Sequence, residues 1–472
     1  MLFNSIAFLL FLPTVFILYW FVFNKNLKFQ NSLILVSSYV FYGWWDYRFL
    51  SLIFLSTIID YIIGLNIPKQ DSQKRKKILL WSSILFNLSV LGFFKYYSFF
   101  VDSWVDLFNS VGYEIKSVWT LNIILPVGIS FYTFQTMSYT IDIYKKKLKP
   151  TKDFISFASF VSFFPQLVAG PIERASNLLP QILKKRDFQY EQGVQGFRLI
   201  LWGMFKKVVI ADSLAPIVDD IFSNYQDFGG GTLWLGAIYF AFQIYCDFSG
   251  YSDIAIGTSK LFGFDLMSNF KFPYFSRNIG EFWRRWHISL STWFRDYLYI
   301  PLGGSQEGKW KSIRNIFTIF LVSGFWHGAN WTFIFWGLFH SILFLPSFVF
   351  NTNRKYTSSI IGENSILPNP KELLQVGTTF ILVTIGWVIF RGETISNSVG
   401  FLKSMLSNFN IYKLNYVKPF MYVLITILIE WILLKKFMKN KFIIIIINSI
   451  VIIWVLSLII SQKNNQFIYF EF

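Results

Sequence analysis

The chain has 472 residues, 54% of them hydrophobic and 21% aromatic, with a mean hydropathy of +0.46; apolar runs of membrane-spanning length recur from end to end, so it reads as one all-α polytopic membrane domain over residues 1–472 and not as a string of soluble domains. The formal net charge of +17 fits basic cytoplasmic loops and gives no ground for a nucleic-acid partner. A single cysteine, Cys246, and three histidines leave no disulfide framework and no zinc-ligand spacing, so no metal is expected.

The first run, within "MLFNSIAFLLFLPTVFILYWFVFNKN", lacks a basic leader and a small-residue cleavage site, and is read as a retained helix over 5–23. Further spans are expected at 31–43, 49–65, 78–99, 119–141, 195–217, 232–256, 315–328, 331–349, 376–391, 419–434 and 442–460, about 11–12 crossings in all. The loops "KNLK" (25–28), "KQDSQKRKK" (69–77), "KKKLKPTK" (145–152), the basic stretch Lys260 to Arg314 and "KKFMKNK" (435–441) then share one face. That face is expected to be cytoplasmic, with both termini extracytoplasmic. The opposite loops carry Asp46, then Asp102, Asp106 and Glu114, then Asp219, Asp220 and Asp227. The loop 392–418, with Lys403, Lys413 and Lys418, runs against the rule, whereas two crossings over 315–349 keep "KKFMKNK" inside.

Two apolar segments do not fit as crossings, "FISFASFVSFFPQLVAGP" (154–171) and "IGEFWRRWHISLSTWFRDYLYIPLGG" (279–304). In the second, Trp286, Leu290, Trp293 and Tyr297 recur at helical spacing while Arg284, Arg295 and Asp296 point elsewhere. Interfacial or re-entrant helices are expected, and such segments need protein or a water-filled cavity to shelter their backbone.

Within "FLVSGFWHGANW" (320–331), His327 is an ionisable group in an apolar run, which is costly and marks function or a satisfied interhelical contact. A helix starting near Ile316 carries His327 about 16 Å along its axis, near the middle of a core about 30 Å thick. Gly324 and Gly328 flank it and allow another backbone or a ligand to approach closely, and Asn330 is placed to end the helix. A neutral imidazole there is able to accept a proton from a hydroxyl, and this context favours the functional reading. His287, forty residues earlier, is either a second wall of the same cavity or an interfacial anchor. His340 is on another face of the helix and is assigned a structural hydrogen bond.

"QIYCDFSGYSDIAIG" (243–257) places Asp247, Ser249, Ser252 and Asp253 in or at the end of an apolar run, which marks a hydrogen-bond network or a polar site. Arg284, Arg285 and Arg295 suit either phosphate groups of a donor or lipid headgroups. The sequence has no GxSxG elbow and no P-loop, and neither His287 nor His327 is followed by an acid at the fifth position.

"FWRRWHISLSTWFRDYLYIPLGG" followed by "FWHGANW" resembles the membrane-bound O-acyltransferase family. "PVGISFYTFQTMSYTIDIY" (126–144), "FFPQLVAGPIER" (163–174), "QIYCDFSGYSDIAIG" and the terminal "FIYFEF" look like its bacterial branch, which contains the alginate O-acetyltransferase membrane subunit. The resemblance implies a ring of helices around a central funnel and tunnel, with a catalytic core at about 119–350 and C-terminal helices at about 375–460. It carries the catalytic histidine over to His327 and a second histidine over to His287; Asp247, Ser249 and Asp253 match a recurring motif to which the resemblance assigns no role, and these three with Trp326 and Asn330 are expected to support or orient the site.

The reaction this implies is transfer of an acyl group, acetyl by resemblance, from a cytoplasmic thioester to hydroxyls of an exported polysaccharide such as alginate. His327 would act as general base, and His287 or Asn330 would orient the acyl group or stabilise the oxyanion. No cofactor is implied; the donor is acetyl-CoA or an acyl-carrier protein, and periplasmic partner proteins complete the transfer. Peptidoglycan O-acetylation and D-alanyl transfer to teichoic acid are alternatives within the family, and the location implied is the bacterial cytoplasmic membrane. Three readings of other classes stand beside it: a transporter, which would show repeat symmetry between its halves; a bis-histidine haem protein; and an envelope scaffold indifferent to loss of His327.

Overall fold

Side-chain caps fix where many of the helices begin. Ser5 accepts from the Phe8 N–H, Asn26 from those of Lys28 and Phe29, Asp153 from that of Ser156 and Thr394 from that of Asn397, while Asn369 and Glu372 form a reciprocal capping box. In the computed structural model, the described residues are 1–113, 121, 123–357, 359–363, 365–407, 410, 414–435, 451, 452, 454, 455 and 457. They are helical, with no strand among them. The expected span 442–460 lies almost wholly outside these residues, as do "KKFMKNK" beyond Lys435, Glu114, Lys413 and "FIYFEF".

Every expected span up to 419–434 falls on a helix, with shifted ends. Within the run at 119–141 the described helix is Ile129–Tyr144, and the helix read from Ile316 begins at Lys309. Four stretches among the described residues are long and apolar enough to cross a membrane: Leu27–Asn66, Gln73–Ser110, Trp331–Val349 and Pro370–Arg391. Ile6–Val22 and Phe420–Leu434 are shorter apolar helices. Part of the stretch expected as loop, 392–418, holds a further helix, Ile395–Met405, whose Phe401 and Met405 are buried against Leu233, Ala237 and Val388.

The chain divides into two compact units, one of residues 1–197 and 255–267, the other of 198–254 and 268–472. In the first, the helix Ile129–Tyr144 is buried along almost its whole length. Its polar face meets a closed network in which the Asp60 carboxylate accepts from Ser83 Oγ at 2.6 Å and Asn87 Nδ2 at 2.8 Å. A buried carboxylate is tolerable only when its oxygens are satisfied in this way. The segment 154–171 forms one short helix, Phe154–Val161, and then irregular buried backbone; the Phe164 N–H donates to Ser38 Oγ at 3.1 Å. Eight helical residues are too few to cross a bilayer, and protein shelters the backbone that follows.

In the second unit, the segment 279–304, expected as interfacial or re-entrant helices, is interrupted. It breaks into Ile279–Arg285 and Ile288–Phe294, with His287 between them in the left-handed region at φ +42°. The pattern registers which side chains are buried, and Trp286, Leu290 and Trp293 are, but it is blind to a backbone reversal that leaves those positions inside.

Candidate active site

A sharp hairpin presents His327. The helix Lys309–His327 ends on this histidine, residues 328–330 turn the chain, and Trp331–Val349 runs back along it, with Phe320 packed on Phe344 at a centroid distance of 5.7 Å. Glycine makes that contact possible. A methyl group on Gly324 or Gly337 would collide with the backbone carbonyl of Phe333 or Phe320 on the opposite helix, and one on Gly328 with the Phe333 ring. The close approach expected at Gly324 and Gly328 is therefore to the returning helix. Gly324→Val is expected to lower the thermal midpoint and membrane abundance through a cost of roughly 1–3 kcal/mol, the usual scale of overpacking, measured by melting of the purified protein in detergent; an unchanged midpoint would contradict this packing.

His287 is held by a residue that the sequence reading passed over. The backbone N–H of Ser289 donates to Asn269 Oδ1 at 3.2 Å, which identifies that atom as oxygen, and Ser289 Oγ donates to it at 2.7 Å. His287 Nδ1 lies 3.3 Å from the same oxygen, so this nitrogen carries the proton and Nε2 holds a lone pair. The buried Nε2 has no hydrogen-bond partner among the described residues. Asn269 Nδ2 donates to Ser252 Oγ at 3.1 Å and its carbonyl accepts from the Ile288 N–H at 2.9 Å, which pins the strained turn.

Both histidines line one cavity of about 520 Å³. Its wall on the helix Lys309–His327 is the stripe Ile316, Ile319, Phe320, Ser323 and His327, one helical face that rises about 16 Å from first to last. At the Ile316 end the lining is polar and basic, with Arg295, Tyr299, Ser305, Asn351, Asn353 and Arg354. The rest of the lining is largely aromatic and apolar, with Trp283, Trp286, Leu290 and Phe294. The Trp283 Nε1, a donor only, is buried there without a partner among the described residues.

The other expected site residues are placed as follows. Trp326 lies between the two histidines, with ring centroids 5.9 Å from His287 and 5.0 Å from His327. Asn330 does not line the cavity; its Oδ1 caps the next helix by accepting from the Thr332 N–H at 3.0 Å, and its Nδ2 donates to the Glu393 carbonyl at 2.9 Å. It starts one helix where it was expected to end another. Arg284 donates to the carbonyls of Asn353 and Tyr356, and Arg285 pairs with the buried Glu281 at 2.8 Å, so neither is free for a donor's phosphate, and Arg285 does not line the cavity. Arg295, paired with Asp296 at 2.7 Å, does line it. His340 makes no hydrogen bond among the described residues, contrary to the sequence reading; it packs against the rings of Trp283, Trp336 and Phe339 and against Gly386.

Asp247, Ser249 and Asp253 belong to a buried ionic cluster. The helix Tyr190–Met204 widens into a π-helical segment, Phe205–Ala211, which carries Lys206 and Lys207 toward the helix Gly230–Leu261. Lys206 Nζ meets Asp253 at 2.6 Å and Ser249 Oγ at 2.9 Å; Lys207 Nζ meets Asp247 at 2.7 Å and Asp212 at 2.9 Å. A Cβ on Gly203 would lie 2.5 Å from the Gly250 carbonyl oxygen, so bare backbones touch and the lysines reach across. None of these ionic residues lines the cavity, and the network reading is the one the geometry favours.

The profile described as the membrane-bound O-acyltransferase family matches residues 44–358 of this chain. The chain belongs to the membrane-bound O-acyltransferase family. This acyltransferase is 42% identical to the probable alginate O-acetylase AlgI of Pseudomonas aeruginosa over 409 residues, which is 86% of this chain and 75% of that protein. It is 36% identical to the peptidoglycan O-acetyltransferase of Helicobacter pylori, over 86% of this chain and 80% of that protein. The teichoic acid D-alanyltransferase of Streptococcus thermophilus is 30% identical over 56% of this chain and 68% of its own length. Family and fold together make it a polytopic membrane O-acyltransferase.

Two cavity residues of this acyltransferase, Trp283 and Arg354, and the residue that holds His287, Asn269, carried no signal of their own in the sequence. Asn269 lies in a basic loop, Trp283 is one of eighteen tryptophans, and Arg354 follows the expected helices. Lys206 and Lys207 did carry one, since two adjacent cations inside an apolar run need partners.

Proposed function

We propose that the chain moves an acetyl group from a cytoplasmic acyl thioester to hydroxyls of an exported, alginate-type polysaccharide, with His327 as general base. The observation that carries this is the single cavity with a basic mouth at one end and both histidines along its walls. The donor enters at Arg295 and Arg354, its acyl arm lies along the stripe from Ile316 to Ser323, and its thioester reaches His327. As the acceptor hydroxyl attacks the thioester carbon, its proton passes to the His327 ring, the carbon–sulfur bond breaks, and the proton is delivered to the departing thiolate. His287, with Nδ1–H held by Asn269, is fixed in the cavity wall, where it orients the acyl group of the donor. Donation to the developing oxyanion falls to the Trp283 indole N–H, because neutral His287 has no second proton to give.

The similarity to AlgI supports alginate as acceptor, and the peptidoglycan and teichoic acid relatives are the second readings. In this reading the protein sits in the bacterial cytoplasmic membrane with both termini outside. Residues 119–350 carry the chemistry, 375–460 complete a ring of helices around a funnel and tunnel, and periplasmic partner proteins take the acyl group onward. Arg354 has no ionic partner among the described residues, which suits it to a phosphate of the donor. Arg354→Gln is expected to raise the KM for acetyl-CoA by about tenfold, the scale of one charge-assisted hydrogen bond, with kcat little changed. Acetyl-pantetheine, which lacks the phosphates, should be used equally by both proteins in steady-state assays of reconstituted enzyme. An equal loss with both donors would remove Arg354 from the donor site.

A further inference from the structure

The first unit contains a second cavity, about 510 Å³, that the acyl-transfer chemistry does not use. It lies between the end of the first helix, with Phe16, Trp20, Phe21 and Lys25, and the segment Lys185–Phe188. Among its lining residues is Arg186, 6% exposed, whose N–H groups donate to Tyr19 Oη, to the side-chain oxygens of Gln30 and Asn31 and to the carbonyls of residues 181, 182 and 184. Every one of these acceptors is neutral, and no carboxylate pairs with this guanidinium among the described residues. A charge taken out of water without a counter-charge is costly, and an anion in the adjoining cleft offsets that cost. Lys25 and Lys185 add two cations, against which the cleft holds one acid, Asp187, paired with Lys185 only at 3.6 Å between exposed side chains.

The same cleft adjoins an exposed apolar surface. On the first helix Ile6, Leu10 and Ile17 are 68%, 69% and 54% exposed and at 100° per residue fall within about 40° of one another, and Phe21, 74% exposed, follows in the π-helical segment Leu18–Val22. That apolar stripe ends in the cleft at Phe21. A ligand that fits must combine an anionic head with long apolar chains.

We propose that this cleft binds an anionic phospholipid, its phosphate held electrostatically by Lys25, Lys185 and Arg186 and an acyl chain lying along the first helix. The test places the full chain in phosphatidylcholine nanodiscs containing a photoactivatable phosphatidylglycerol and maps the labelled peptides. Labelling is expected at 16–25 and 184–188, falling about fivefold for Lys25→Gln and again for Lys185→Gln. Both substitutions are at exposed positions, and unchanged acetyl transfer by each variant shows that it folds. Equal labelling by photoactivatable phosphatidylcholine, or labelling insensitive to both substitutions, would overturn the proposal. Displacement of the label by millimolar inorganic phosphate would reassign the cleft to a free anion and overturn it as well.

Discussion

His327→Ala is expected to lower acetyl transfer by about 10²- to 10⁴-fold, the range that general-base catalysis ordinarily supplies, with no loss of membrane abundance. The packing around the ring makes the second half of this result expected. His327 ends its helix, and its neighbours Trp336 and Phe390 are held by each other, with centroids 5.4 Å apart, so a smaller side chain leaves the hairpin standing on its glycine contacts. Initial rates with reconstituted protein and an acetyl thioester separate the two effects. A variant that loses abundance and rate in equal measure would make His327 a structural residue.

Lys207→Met is expected to act in the opposite way, on stability. It removes the cation that Asp247 and Asp212 share, and breaking a buried pair of this kind costs about 3–5 kcal/mol. The thermal midpoint in detergent should drop steeply. Adding Asp212→Asn should restore part of the loss, because the second substitution removes one of the stranded charges. Independent, additive losses for the two substitutions would show that they do not share a network. The π-helical widening that delivers this cation is therefore part of the network's architecture.

The membrane class, the succession of helices and the two histidines were legible in the sequence, for a physical reason: long apolar runs and rare ionisable groups inside them are unambiguous when the solvent is lipid. What remained hidden depends on backbone geometry and on residues distant in sequence. The break at His287 preserves the burial pattern of a continuous helix, so periodicity does not register it. Asn269 positions His287 from eighteen residues away through a backbone donor, Ser289, that no composition reveals. Arg284, Arg285 and Arg354 look alike in sequence, and only their partners distinguish those tied to neighbouring loops and acids from the one at the cavity mouth. Asn330 was recognised as a helix terminus but assigned to the wrong helix, because an asparagine in a three-residue turn is able to end one or cap the next.

The central claim is that this chain, through His327, esterifies an exported polysaccharide. The most direct test expresses the wild type and His327→Ala at equal membrane abundance in a host lacking the gene, and measures ester-linked acetate in each separated envelope polysaccharide. The account predicts acetate on one fraction, an alginate-type polymer, that depends on the chain and disappears with His327→Ala. Acetate restored equally by the variant would contradict it.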